Sequence, residues 1–227
     1  MRASPATEDC LKTIFGLASS GEPVTTGGLA HRLGVSSPSV SAMLRRLEGQ
    51  QLLERRQGHD LRLTAAGEQV ALRVVRRHRL LETFLAQVLQ MPWDEVHEEA
   101  ELLEHALSAR LEERIDQALG HPDRDPHGDP IPPREGRHDE GWGQALADAT
   151  VGGCFRVERV SDRDSAALRY LGSRGVVPGA VLGVREREPF GGPVWVEVLG
   201  ERVALGLVLA RQVHGSSLAH DNRPEQR

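Results

Sequence analysis

The sequence predicts a mainly α-helical protein with a small β part: a winged helix-turn-helix, then a helical segment, then a small five-stranded barrel. Three observations carry that prediction. Helix, helix, turn, helix and hairpin signals follow one another as far as Thr64. Helical periodicity with start and stop residues continues to Gly120, and from Gly153 the apolar period changes from helical to alternating.

Each element has a local reason. Ser4-Pro5 reads as an N-cap and a first-turn proline, opening a helix over residues 5–19 with Leu11, Ile14, Phe15 and Leu17 inside; Gly21 ends it. Thr25 or Thr26 can cap a short second helix, GGLAHRLG, closed by Gly34. Ser36-Ser37-Pro38 starts a third, SPSVSAMLRRLEGQ, with Val40, Met43, Leu44 and Leu47 at helical spacing. LLERR and DLRLT read as two strands around the turn Gln57-Gly58-His59, a β-wing. A long helix runs from Ala65-Ala66-Gly67 to Leu89, where Met91-Pro92-Trp93 breaks it. Asp94 is expected to cap one further helix ending near Gly120, and HPDRDPHGDPIPPREGRHDEG reads as irregular linker. FRVERV, AVLGVRER, VWVEVL and VALGLVLARQV read as strands, with the helix SAALRYLGSRG inserted and Gly200-Glu201 as a hairpin turn, predicting five strands. Residues 215–227 read as a disordered tail.

A chain of 227 residues suits two or three small domains. There is no run of 18 apolar residues and no basic-then-apolar leader, so the expectation is a cytoplasmic protein with no membrane partner. Cys10 and Cys154 are isolated and form no CxxC, which fits a reducing compartment. The net charge of −5 hides an asymmetry. Residues 1–80 hold 12 Lys+Arg against 7 Asp+Glu; residues 81–140 hold 5 against 16; the remainder holds 11 against 10. A basic module followed by an acidic one is the pattern expected when the first meets phosphate and the second meets cations.

The most informative stretch is VHEEAELLEH. On one helix, His97, Glu101, Glu104 and His105 fall at about 0°, 40°, −20° and 80°, all on one face. His78 and Glu82 have the i,i+4 spacing that aims two side chains at one ion. Imidazole with carboxylate is ligand chemistry for a first-row divalent metal. Plainer readings stand beside these. Asp9, like Glu8, can simply offset the helix dipole. Glu101, Glu104 and His105 can be a solvated face, and His78 can be one more base in the Arg76-Arg77-His78-Arg79 run. Asp125 and His127 are ordinary residues for a Pro-rich loop.

Taken together, TEDCLKTI, SSPSVSAMLRRLE, LTAAGE, RHRLLETFL, VHEEAELLEH, DPHGDPIP and LRYLGSRGVVPG resemble the diphtheria-toxin-repressor family of metal-dependent transcriptional repressors, over residues 5–214. The resemblance implies a winged helix-turn-helix DNA-binding domain (1–70), a helical metal-binding and dimerisation domain (71–140), an SH3-like, FeoA-type domain (148–214) and a tail (215–227). It implies a primary metal site at Asp9, Glu101, Glu104 and His105. The iron-responsive branch has methionine and cysteine at the first two of these positions; carboxylates there are the pattern of the manganese-responsive branch, and hard oxygen ligands suit Mn²⁺. Lys12 stands where some manganese regulators carry one more carboxylate. A secondary site is implied at His78, Glu82 and His97, with Asp125 and His127 of the loop and Asp162 or Asp164 of the barrel as further candidates.

For DNA, the third helix is expected to present Ser37, Pro38, Ser39, Ser41 and Ala42 to base edges, with Arg45 and Arg46 a turn later and Arg55, Arg56 and Arg62 near the wing as phosphate contacts. For these arginines a solvated face is the plain alternative. The whole reads as a homodimeric repressor of metal-uptake genes that grips a palindromic double-stranded operator when Mn²⁺ is bound; Fe²⁺ or another divalent metal is the alternative effector. It is not expected to be an enzyme. A binuclear hydrolase is the rival class, but no nucleophile or phosphate loop accompanies the His/Glu clusters.

Overall fold

Pro5 just inside α1 (Pro5–Ser19) fits a turn whose amide has no helical acceptor, and Ser4 precedes it in extended backbone. Thr25 is the threonine that caps α2 (Thr26–Leu33), accepting from Gly28 N at 3.0 Å, and Gly34 closes it in the left-handed region at φ 64°. Ser36 caps α3 (Ser37–Gly49), accepting from Ser39 N at 3.3 Å. The strands β1 (Leu53–Arg55) and β2 (Leu61–Leu63) pair antiparallel with Glu54 opposite Arg62. The structure, a computed structural model, describes residues 3–55, 61–135 and 138–218, so the wing turn Gln57-Gly58-His59 lies outside the described residues. The apolar stripes of α1, α2 and α3 close over one core: Leu11, Ile14, Leu29, Val40, Leu44 and Leu47 are fully buried or nearly so, joined by Leu53, Leu61 and Val75.

α4 (Ala65–Gln87) follows, then α5 (Val96–Leu103) and α6 (Ala109–Ala118). The expected single helix to Gly120 is therefore two. Residues Glu104–Ala106 form a turn in which Ala106 N donates to Leu103 O at 3.0 Å, and Ser108 opens α6 by accepting from Leu111 N at 3.2 Å. Asp94 does not cap α5; it lies two residues ahead of it, 3.5 Å from Arg169.

The C-terminal sheet is antiparallel in the order β3-β8-β4-β5-β6-β7. Its strands are β3 (Gln144–Ala145), β4 (Cys154–Val160), β5 (Val181–Arg187), β6 (Val194–Val198), β7 (Glu201–Leu205) and β8 (Val213–Leu218); α7 (Ser165–Ser173) and α8 (Leu207–Ala210) are inserted. Six strands stand where five were expected: the four segments read as strands become five because Gly206 and α8 split VALGLVLARQV, and Gln144-Ala145 adds an edge. The last strand also runs past the expected boundary at 214: Gly215 pairs with Val157 and Leu218 with Cys154. Residues 219–227 of the expected tail lie outside the described residues. Alternate residues Phe155, Val157, Leu182, Val184, Val194, Val196, Val203 and Leu205 fill this core.

Two units result, one from Met1–Phe84, Glu98–Asp123 and Pro130–Glu140, the other from Leu85–His97, Arg124–Asp129 and Gly141–Arg227. Within the second, the loop read as irregular linker is seated on β4: Val160 N donates to His127 O at 2.9 Å, and Asp129 pairs with Arg159. Gly128, at φ 88°, passes so close to Glu158 O that any Cβ would overlap it. No described helix is long and apolar enough to cross a membrane.

Candidate metal centre

α1 and the turn after α5 bring the primary candidates together in the first unit. Ligand atoms of Asp9, Glu104 and His105 lie within 4.8 Å of one another. His105 Nε2 is 2.6 Å from Asp9 Oδ1 and its Nδ1 is 2.9 Å from Glu8 Oε2. Because Glu104 and His105 sit in a turn and not on the helix, they reach α1 by a route that the helical wheel does not describe. Glu101 falls instead in a second grouping with His78 and Glu104, again within 4.8 Å. His78 Nδ1 is 2.6 Å from Glu104 Oε2 and Nε2 is 2.9 Å from Glu82 Oε1. Lys12 Nζ donates to Glu101 Oε1 at 2.6 Å and to both Glu104 oxygens at 2.7 and 2.9 Å.

The electrostatics follow from carboxylates crowded out of water. Burial pushes the Asp9 carboxyl pKa up, against the pull of His105 and Lys12. Burial opposes charge on His105 and His78 too, yet Glu8 and Asp9 around the first, and Glu82 and Glu104 around the second, hold both imidazoles above the usual histidine range. Glu104 resists its own burial: the His78 and Lys12 contacts hold its pKa below the usual carboxylate range. Cys10, fully buried beside Asp9, is pushed by burial to about 11 and stays a thiol.

The donor set fits a divalent first-row cation: two carboxylates and one imidazole converge, no sulfur is among them, and the Asp9 side chain is about a third exposed, which leaves room for water ligands. Glu8 is what the sequence reading missed. As an acid of the first turn it can offset the helix dipole, but it is 5% exposed and orients His105 from behind, as carboxylates do for ligand histidines. Its position beside Asp9 was the only signal.

The secondary candidates divide between the units. His78 and Glu82 belong to the first. In the second, His97 Nδ1 lies 3.1 Å from Asp162 Oδ2. Asp164 is corrected: its Oδ1 caps α7, accepting from Ala166 N at 2.9 Å and Ala167 N at 3.1 Å, so of the two barrel acids Asp162 is the one aimed at a histidine. Asp125 Oδ1 accepts from the amides of His127 and Asp129 at 2.8 and 2.9 Å, an ordinary loop-turning role. His127 is fully buried and its Nε2 donates to Trp93 O at 2.7 Å, which would leave Nδ1 as its ligand atom.

On α3, Ser37, Pro38, Ser39, Ala42 and Arg45 are exposed. Ser41 is half-buried and its hydroxyl donates back to Ser37 O at 3.0 Å. Arg46 and Arg55 are exposed too; Arg46 donates to Thr7 Oγ1 of α1 at 2.9 Å, and Arg55 is paired with Glu48 at 2.9 Å. Arg56 lies outside the described residues, and Arg62 is exposed.

Three family models match the chain in order: the N-terminal DNA-binding domain of iron-dependent repressors over residues 3–58, their metal-binding and dimerisation domain over 64–133, and the FeoA domain over 144–216. Among curated proteins, the iron-dependent repressor IdeR of Mycobacterium leprae is 40% identical over 126 residues, covering 56% of this chain and 55% of that protein. The diphtheria toxin repressor of Corynebacterium jeikeium is 37% identical over 56% of this chain and 52% of its own length. The matched segment thus spans about half the length of these relatives. Among solved structures, a manganese-dependent transcriptional repressor in complex with manganese is 42% identical, with a TM-score of 0.88 over 93% of this chain and 100% of its own. The manganese regulator SloR is 32% identical, with a TM-score of 0.81 over 95% and 100%.

Proposed function

We propose, from the premise that this chain belongs to the iron-dependent repressor family, that it is a metal-dependent DNA-binding transcriptional repressor, acting as a homodimer on metal-uptake genes with Mn²⁺ as effector. The observation that carries this reading is the pocket's charge. Glu8, Asp9, Glu82, Glu101 and Glu104 converge on two histidines, while Lys12 is the fixed cation hydrogen-bonded into them. A divalent cation supplies the positive charge that such carboxylates need in order to stay ionised together.

The protein's own residues then do two things. Asp9 fixes α1, and with it the α2–α3 core it packs on, to the turn that bears Glu104 and His105. α3 presents its exposed N-terminal serines, Ala42 and Arg45 to DNA, small side chains that read shape and phosphates more than base edges. The exposed Leu102, Leu103 and Leu111 on α5 and α6 give the first unit an apolar surface for a second protomer, so that two α3 helices can meet successive major-groove faces. A preference of about 1–3 kcal/mol for the DNA-competent arrangement is enough for regulation, and by reciprocity DNA tightens metal binding equally.

Mn²⁺ is assigned because the converging donors are oxygen and nitrogen, and because one structurally similar protein is a manganese-dependent repressor by name and another a manganese regulator. Fe²⁺ is the second reading, favoured by the curated relatives that are iron-dependent repressors. His97 with Asp162, and His78 with Glu82, remain proposed ligand pairs of a further ion. The test is DNA binding by chelator-stripped protein, titrated with Mn²⁺, Fe²⁺ and Zn²⁺. Equal affinity with and without metal would sink the mechanism; restoration by Fe²⁺ alone at cellular concentrations would move the assignment to iron.

A further inference from the structure

α4 carries a stripe of residues that the metal site does not use. Gln69, Arg73 and Arg76 recur at i, i+4 and i+7 and so share one face, with Arg77 beside it. These four form one wall of a cavity of about 550 Å³ in the first unit. The first turn of α6 lines another side through Ala109 and Glu112, which brings the positive end of that helix dipole to the cavity. Arg134 and Glu135 stand at the exposed rim.

Four arginines thus meet two glutamates, and the buried part of the lining has donors left over. Arg77 Nε donates to Glu112 at 3.3 Å, and Arg76 is held by Asp116 at 2.8 Å and by Pro132 O at 2.7 Å. These contacts balance charge without satisfying every N–H. Arg76 is 8% exposed, yet its Nε, 3.3 Å from Glu112, makes no hydrogen bond among the described residues. Arg77 Nη1 makes none either; Glu8 is 3.9 Å away, beyond hydrogen-bonding reach. A buried donor without an acceptor is costly, and a bound ion is one of the ordinary reasons for it. At the mouth, Arg73 is exposed and has no partner among the described residues. Arg134 has only Glu113, at 3.4 Å on the surface.

We propose that this cavity binds a small phosphate-bearing anion, held by Arg73, Arg76 and Arg77 against the N-terminus of α6. Guanidinium forks match the spacing of phosphate oxygens, and a helix N-terminus favours the same charge. The volume exceeds that of inorganic phosphate, so a phosphate ester of a small metabolite is the better fit. The site is separate from the metal cluster and stands whether or not the functional reading does.

The experiment titrates the chelator-stripped full chain with inorganic phosphate and, in parallel, with ribose 5-phosphate, by calorimetry in chloride buffer. One saturable site per protomer is expected, with the ester binding more tightly; tighter binding of the free ion would assign the site to inorganic phosphate. Arg73→Gln, a surface change, should weaken either ligand about tenfold or more, the worth of one charge-assisted hydrogen bond. Glu135→Gln removes a repelling charge from the rim and should tighten both. Absence of saturable binding in wild type at millimolar ligand overturns the inference. So does an affinity for both ligands in Arg73→Gln equal to that of wild type. If that variant loses affinity for DNA alone, Arg73 serves the duplex backbone and the cavity is not a phosphate site.

Discussion

Two clusters of buried charge draw on the same stretch of α4, and they are balanced differently. In one, Arg76 meets Asp116 at 2.8 Å and Glu112 at 3.3 Å, Arg77 meets Glu112 at 3.3 Å, and Arg79 meets Glu140 at 2.8 Å. Pro132 and Pro130 carbonyls take further guanidinium donors. Three fixed cations face three carboxylates, and the cluster is closed. In the other, His78 and Glu82 join Asp9, Glu8, Glu101 and Glu104 around Lys12, with Arg77 only at its edge, 3.9 Å from Glu8. There the positive charge depends on two histidines that can lose it. Buried charge matched by arginine braces a fold; buried carboxylate in excess of fixed cations creates a demand for an ion.

The sharpest way to break this comparison is to open the closed cluster. Arg76→Met leaves Asp116 and Glu112 buried with less compensation and is expected to cost about 3–5 kcal/mol of stability in denaturant titrations, with Mn²⁺ affinity unchanged. If affinity falls in step with stability, the two clusters are one network and the distinction is lost. Asp9→Ala should do the reverse. Mn²⁺ affinity is expected to drop by at least about a hundredfold by calorimetry, while metal-free stability hardly moves, since burial already disfavours that carboxylate. Glu8→Gln, acting mainly through His105, should cost roughly tenfold in affinity.

The same contrast explains what was legible. Caps wrote α1, α2 and α3 into the sequence, because Pro5, Thr25, Gly34 and Ser36 act on their own neighbours. Asp9, Glu104 and His105 were legible as residue types, and the family resemblance placed them. The break at Ser108 was hidden because LLEHALSARLEERI keeps a helical apolar period across it. Arg76 and Arg79 looked like part of a basic run meant for phosphate or solvent. Their acids lie 40 and 61 residues further along the chain, and no local pattern reports such pairing. Asp162 and Asp164 differ for the opposite reason: Asp164 followed by Ser-Ala-Ala is a plain N-cap signal that local reading could have used.

The smallest expected effect is a pH dependence of the closed cluster. Burial alone would raise the Glu140 pKa, but contacts from His138, 2.6 Å away, and from Arg79 outweigh it and hold the carboxyl below its ordinary range. A carboxyl depressed by folding contributes stability that is fully present above its unfolded pKa and is lost as the pH falls through the folded one. In metal-free protein, the stability gap between wild type and Glu140→Gln should therefore be constant at neutral pH and narrow only below the normal carboxylate range. Urea midpoints measured in parallel for the two proteins cancel the contribution of Glu104, whose own depressed pKa gives both the same slope. A gap already closing near neutrality would mean that the fixed charge of Arg79 does not hold Glu140 ionised. The brace would then resemble the pocket, where histidines supply the missing charge.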